Sequence, residues 1–376
     1  MNTLAKSLTT VAIACLTALS NQAQAQQGFG VTLYGMVDAF AYSKQLANEK
    51  RSSQLVSGPM TTSFWGIRAS EDLGGGMVAI ADMAGFFQVD TGGSQRSSAD
   101  AGGFWGKYAW IGLSSATLGS VRLGRQATPT FLNTVRFEPY SGSSAFGTVL
   151  HTYVPTGTQP MMTANGSVGT NASGLPAGGD SAWNNALSYS SPVISGFSLQ
   201  AMVAAPEGAA SPAPGKRYST AFNYVSGPLS LGLSMDKIDK ASAVVVRTAS
   251  DPAGAPYTLT GLNTTSFGGA YDFRVAKVYA QLFSSKLKLG SAADVKLTTT
   301  QLGTAVPVLP TGRIIVSWLH TTRAQSAVAD KTRNTLSTGF DYDLSKDTDL
   351  YAVLMSDRVT GLANGTGYGV GLRHRF

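Results

Sequence analysis

The sequence predicts an all-β protein, a 16-stranded antiparallel transmembrane β-barrel with a long loop after strand 5. Three observations predict it. From Val31 onward the apolar residues recur with a period of two, and no helical stripe has comparable regularity. Short and long connections alternate along the whole chain. Charged residues are only 13%, about half the usual share, while glycine reaches 43 residues. Few charges, many glycines and no second apolar run of helical length suit a wall with one apolar face per strand.

Residues 1–25 read as a secretory signal. Lys6 gives a positive start, an apolar stretch runs from Leu8 to Leu19, and Ala23-Gln24-Ala25 offers a small-x-small cleavage site. The apolar run is too short to remain as a membrane-spanning helix. A rival reading takes Ala12-Ile13-Ala14-Cys15 as a lipoprotein box lipidated on Cys15, which leaves a very short apolar region without the usual leucine. On the preferred reading residues 26–376 form one barrel domain without cysteine, so its stability owes nothing to disulfides. His151, His320 and His374 lie far apart with no cysteine partners, so no metal, haem or other cofactor is implied. The net charge of +7 falls by one when Lys6 leaves. That balance suits nucleic acid, an acidic membrane surface or an anion-attracting channel. Export excludes nucleic acid.

The strands alternate plainly. Leu229, Leu231, Leu233 and Met235 share one face, with Ser230, Gly232, Ser234 and Asp236 on the other. Phe197 to Val203, Phe267 to Phe273 and Leu336 to Tyr342 repeat the pattern. A soluble sandwich would turn these apolar faces inward; a membrane barrel turns them to lipid and lines a wet lumen with the small polar face. The connections decide for the barrel. Seven tight turns are marked at Glu71–Gly76, Ala116–Ser120, Ser191–Gly196, Ser226–Pro228, Asp272–Lys277, Pro310–Gly312 and Ser345–Asp349. Eight longer polar loops lie near 43–62, 90–103, 128–181, 206–216, 239–263, 284–296, 324–333 and 357–366. A soluble sandwich has no reason to keep this asymmetry, whereas outer-membrane barrels have short periplasmic turns and long outer loops.

Closure follows from solvation. An unpaired backbone group in hydrocarbon costs several kcal/mol, so a membrane sheet can have no edge and its last strand must pair with its first. The closing segment alternates Tyr368, Val370, Leu372 and Phe376 toward lipid with Gly369, Gly371, Arg373 and Arg375 toward the lumen. Phe376 at the end of such a strand is the expected signal for outer-membrane assembly, and His374 falls on the lipid-facing parity near an interface.

In order along the chain stand Val31-Thr-Leu-Tyr-Gly35 with Val37-Asp38, Trp65-Gly-Ile-Arg68-Ala-Ser-Glu-Asp-Leu-Gly74, Ile111-Gly-Leu113 and Leu118-Gly-Ser-Val-Arg-Leu-Gly-Arg125-Gln126. Asn184-Asn185 leading to Tyr189-Ser-Ser-Pro192, Gly339-Phe-Asp-Tyr342 and the closing Gly371-Leu-Arg-His-Arg-Phe376 follow. Together these segments resemble the Gram-negative general porins, the sixteen-stranded trimeric type of the beta-proteobacteria, over nearly the whole chain. The resemblance implies a homotrimer in the outer membrane, in contact with lipid, lipopolysaccharide and the assembly machinery. Each barrel would pass ions and small hydrophilic solutes by passive diffusion. It also implies that the loop at 128–181 folds into the lumen, with basic wall residues opposite acidic loop residues across a constriction.

Strand parity maps these roles. Trp65 and Ile67 face out on the second strand, so Phe64 and Arg68 face in; on the fourth, Tyr108 and Trp110 face out and Lys107 faces in. Arg125 ends the fifth strand at the loop. Glu138 is the acidic candidate on the loop with Arg136 beside it, and Asp38 is an inward carboxylate on the first strand. Arg122, on the parity opposite to Arg125, lines the pore or meets headgroups or a loop. Arg68 and Lys107 either shape the constriction or solvate the lumen, and Trp65, Tyr108 and Trp110 form an interface girdle or a trimer contact. Phe64, Ala182 and Ser188 stand where basic residues are frequent in the family, which thins the basic ladder and leaves the sign of the selectivity open.

Enzyme signatures fail in context. Gly367-Tyr-Gly369-Val-Gly371 has no helix after it, and Ser234-Met-Asp-Lys237 and Ser285-Lys-Leu-Lys288 lack the helix and companion motifs of their class. Asp341 and Asp343 share a side near a turn, where solvation is the default. The expectation is a non-enzymatic channel; the alternatives are a substrate-specific anion or organic-acid channel of the same fold, or a structural, adhesive barrel.

Overall fold

The computed structural model describes residues 29–96, 103–140, 142–143, 145–146, 149, 182–206, 215–239, 245–246, 257–290 and 293–376. The signal expected at 1–25, and residues 150–181 of the long loop, lie outside the described residues.

Sixteen antiparallel strands form one closed barrel. The first five are β1 (Phe29–Gln45), β2 (Ser52–Ser57 and Phe64–Gly74), β3 (Met77–Phe86), β4 (Tyr108–Ser115) and β5 (Gly119–Ala127). A short helix, α1 (Pro129–Arg136), follows. The chain then continues through β6 (Ala182–Ser190), β7 (Phe197–Ala204), β8 (Arg217–Ser226), β9 (Leu229–Asp239, with Val245–Val246 prolonging it) and β10 (Tyr257–Asp272). It is completed by β11 (Lys277–Leu289), β12 (Val295–Leu309), β13 (Gly312–Gln325), β14 (Val328–Asp343), β15 (Thr348–Val359) and β16 (Gly365–Arg375). β16 pairs with β1 from Met36↔Arg375 to Gln45↔Thr366. Phe376 prolongs the seam: its carbonyl accepts from Gly35 N at 2.9 Å, and its amide donates to Gly35 O at 3.2 Å.

Alternation sets what each face meets. Met235, Phe267, Leu336 and Val370 are exposed on the outer surface, while Ser234, Asp236, Ser337 and Arg373 are buried on the inner side. The seven tight turns fall where the glycines and prolines place them, between β2 and β3, β4 and β5, and so on to β14 and β15.

Two expected loops are largely strand instead, and so is part of a third. Residues 324–333 reduce to a hairpin turn at 326–327, with Ala327 at φ 63°. The segment near 284–296 is largely taken over by β11 and β12, and 257–263 of the segment near 239–263 belongs to β10. Polar rungs such as Thr322↔Thr332 carry no apolar alternation, yet their backbone pairing is undiminished. The ladder therefore outlasts the hydrophobic pattern.

β2 is broken for a local reason. Gly58 has φ +69° and Pro59 has no amide to donate, so 58–63 leaves the ladder while both flanks still pair with β1. Asp38 holds the excursion. Its carbonyl accepts from Gly58 N at 2.8 Å, and its carboxylate accepts from Met60 N at 2.9 Å, Thr61 N at 2.8 Å and Tyr351 Oη at 2.6 Å.

Candidate pore constriction

The chain leaving β5 turns inward at Thr128-Pro129. Thr128 Oγ1 accepts from Phe131 N at 3.1 Å and Pro129 sits in the first helical turn, a cap-and-proline start that opens α1. This signal was present in the sequence and went unread. Thr130, Asn133 and Thr134 turn to the wall, where Thr130 Oγ1 donates to Asp236 at 2.6 Å and Gln281 Nε2 donates to Thr134 O at 3.1 Å.

Beyond the helix the segment follows inward-facing glycines. Phe137 lies over the cross-strand pair Gly232↔Gly268 and Pro139 over Gly303, each where a Cβ would collide with the ring, and Tyr140 lies over Gly339, where a Cβ would be crowded. Tyr140 Oη donates to Ile315 O at 3.2 Å, and burial, followed by the Glu138 carboxylate, pushes its phenol above the ordinary value. Phe146 then packs edge-on against Phe40, and Ser143 Oγ donates to Pro59 O at 2.7 Å. The described part of the loop thus runs along the inside of β8–β15 and meets the β2 excursion. Val149, Phe283 and Leu319 form an apolar cluster inside the barrel, with Phe131 and Val135 packed against it. Apolar residues on the inward parity, Phe283 and Leu319, are the trace of that seat.

The inner wall of β1–β5 carries the basic residues. Arg68 faces in as expected, its Nη2 2.7 Å from Asp82 Oδ2, and Tyr34 Oη donates to Asp82 Oδ1 at 2.5 Å. Lys107 also turns inward, with Nζ 3.9 Å from the Phe64 ring centroid. Arg122 lies over Trp110 at 4.4 Å, on the lumen side. Arg136 is exposed on the last turn of α1, where a cation suits the helix dipole.

Several expected positions need correction. Tyr108 and Trp110 face the lumen, not lipid: register pairs them with Ala84 and Asp82, and the lipid side of β4 belongs to Ile111 and Leu113. Lys107 escapes the parity argument because it precedes the strand. Arg125 does not line the lumen. It lies on the outward parity of β5 with Val121 and Leu123, opposite Ala109, and donates to Gly106 O at 2.7 Å and Asn184 Oδ1 at 2.7 Å. Asp38 faces inward but is fully covered by the excursion and the loop. Glu138 is buried too, accepting from Gly142 N at 2.8 Å through Oε2. Trp65 does face outward, against Phe104 and Trp105. Asp82, Tyr34 and the glycine track had not been singled out from the sequence.

The carboxylates near the last short turn, Asp341, Asp343 and Asp349, come close enough to share a cation. Guanidinium groups already serve them: Arg313 reaches Asp341 and Asp343, and Arg373 and Arg375 reach Asp349 at 3.1 and 3.0 Å. This is an ion-pair network that stitches β13–β16.

A closed sixteen-strand wall, lipid-facing outside and lined by cations within, agrees with the family model for Gram-negative porins, which matches residues 9–362. The chain belongs to the Gram-negative porins. An outer membrane porin of Bordetella pertussis is 27% identical over 98% of this chain and 99% of its own length. Outer membrane porin protein 32 of Delftia acidovorans is 29% identical over 97% and 99%. Among solved structures, an anion-selective porin from Comamonas acidovorans superposes with a TM-score of 0.70 at 25% identity, over 93% of this chain and 100% of that one. This porin therefore forms a water-filled channel in the outer membrane for passive diffusion of ions and small hydrophilic solutes. Family and fold indicate a channel rather than an enzyme.

Proposed function

We propose that the pore favours anions and that Arg68, Lys107, Arg122 and Arg136 set this preference at the constriction beside the inserted loop. One contrast carries the reading. The inward carboxylates are withdrawn, with Asp38, Asp82, Glu138, Asp236 and Asp341 all at most 3% exposed, whereas the Arg68 side chain is 52% exposed. A solute in the lumen therefore meets cations more than carboxylates, and a charged constriction enriches the opposite ion. The name of the anion-selective neighbour points the same way. In a planar bilayer with a KCl gradient the expected reversal potential has the sign of chloride permeation. A potassium-selective sign would sink the reading.

The assembly that suits this barrel is a homotrimer, as the trimer form of a fold neighbour, the outer membrane protein OmpT of Vibrio cholerae, has it. Its outer leaflet contact is a phosphorylated glycolipid such as lipopolysaccharide. Lys237, Asn263, Lys286 and Lys296 share one outward rung above the apolar belt, with Lys288 one step beyond. Such a row at a membrane surface attracts anionic headgroups. Native mass spectrometry of gently extracted protein is expected to show three chains with bound glycolipid, lost on Lys286→Glu with Lys296→Glu; a bare monomer refutes both points. The closing strand and Phe376 are the segment read by the assembly machinery. Phe376→Ser is accordingly expected to lower the yield of membrane-inserted barrel, and an unchanged yield counts against it.

A further inference from the structure

A porin lumen is ordinarily polar, yet this wall turns five aromatic side chains inward. Tyr34 on β1, Phe64 on β2, Phe86 on β3 and Tyr108 and Trp110 on β4 occupy adjacent strands on the lumen side. Four cations lie on these rings. The Arg68 guanidinium is 5.3 Å from the Tyr34 centroid, Arg122 is 4.4 Å from Trp110 and Arg96 is 4.6 Å from Phe86. The Lys107 ammonium is held among three rings, at 3.9 Å from Phe64, 5.0 Å from Tyr108 and 5.4 Å from Phe86.

A ring orients a cation without neutralising it. Among the described residues no carboxylate lies within ion-pair distance of Lys107 or Arg122, so neither is tied up in an ion pair. Tyr34, Phe64 and Tyr108 also remain partly exposed, presenting apolar ring surface to water beside those charges. The wall therefore repeats one unit, a ring with a positive charge next to it, along β1–β5.

We propose that this wall is a binding site for aromatic carboxylates of the benzoate class. Their carboxylate is received by Lys107 and Arg122, with Arg68 flanking, and their ring lies against Phe64 and Tyr34. Planar carboxylates fit because ring and charge adjoin in the ligand as they do on the wall. A chloride or acetate ion meets only the charges. A neutral arene meets only the rings. The inference rests on the anion reading above but adds a ligand class to it.

The test is chloride current through single channels of the wild-type protein, titrated with benzoate, acetate or benzyl alcohol. Benzoate is expected to block saturably at a concentration about tenfold below acetate, with benzyl alcohol weaker still, since ring and charge contribute together. Phe64→Leu keeps bulk and net charge but removes a ring, and should bring benzoate close to acetate. Phe64→Tyr should restore the gap. Equal effects of benzoate and acetate on the wild type overturn the site, as does equal block by benzyl alcohol. A reversal potential of the potassium sign, with benzoate still blocking ahead of acetate, would sink the general anion preference and leave this site standing.

Discussion

A leucine at position 268 will widen the pore. Any Cβ at Gly268 collides with the Phe137 ring, which also covers Gly232, so the loop must leave its seat or the wall must strain by about 1–3 kcal/mol. The loop is the softer partner. Phe137 is 1% exposed, and burying such a ring contributes roughly 1.5–3 kcal/mol to holding the loop against the wall. Single-channel conductance of Gly268→Leu is therefore expected to exceed that of the wild type, with greater passage of larger sugars in liposome swelling. Phe137→Ala empties the same seat from the other side and should act in the same direction. Unchanged conductance in both variants, with the barrel shown intact by its heat-modifiable mobility, would mean that Phe137 does not hold the narrow state.

The second large effect is on selectivity. Asp82 accepts from Arg68 at 2.7 Å and from Tyr34 at 2.5 Å, and so offsets the charge of one guanidinium that faces the lumen. Asp82→Asn removes that hold and adds one net positive charge to the wall. At a few ångströms and near-aqueous dielectric one charge is worth about 1 kcal/mol, roughly a fivefold change in local ion ratio. The chloride-to-potassium permeability ratio should rise by that order in dilute salt, and Arg122→Gln should lower it by a similar factor. Both differences should shrink in molar salt, where the Debye length is about 3 Å. A ratio that ignores Asp82→Asn would show that Arg68 is not at the narrowest point. Arg68→Gln is a poorer probe, because it strands a carboxylate that is 1% exposed.

Much of the barrel was legible because alternation is a property of a single strand. Met235 and Asp236 differ by one position and by half a turn, and their hydrophobicities alone assign one to lipid and the other to the interior. The same reasoning misplaced Trp110. An aromatic ring suits lipid and also suits a cation in the lumen, and only the register with Asp82 shows which it meets. Arg125 shares the outward parity of Val121 and Leu123, and its place where the strand enters the loop does not override that alternation. Glu138 was read as facing the lumen because a carboxylate on a loop is ordinarily solvated; the backbone of Gly142 instead draws it under.

The sequence by itself determined the class, the number of strands, the side each clearly alternating strand turns to lipid, and the end of the barrel with short turns. These follow from period and from glycine, proline and aspartate at connections, which act within a few residues. Only the tertiary structure decided where the loop lies and which charges reach the lumen. Those depend on partners far apart in the chain, such as Asp38 with Tyr351, 313 positions away, and Ser143 with Pro59, 84 positions away. Cross-strand register and the depth of burial bring such groups together, and neither is written in any one strand.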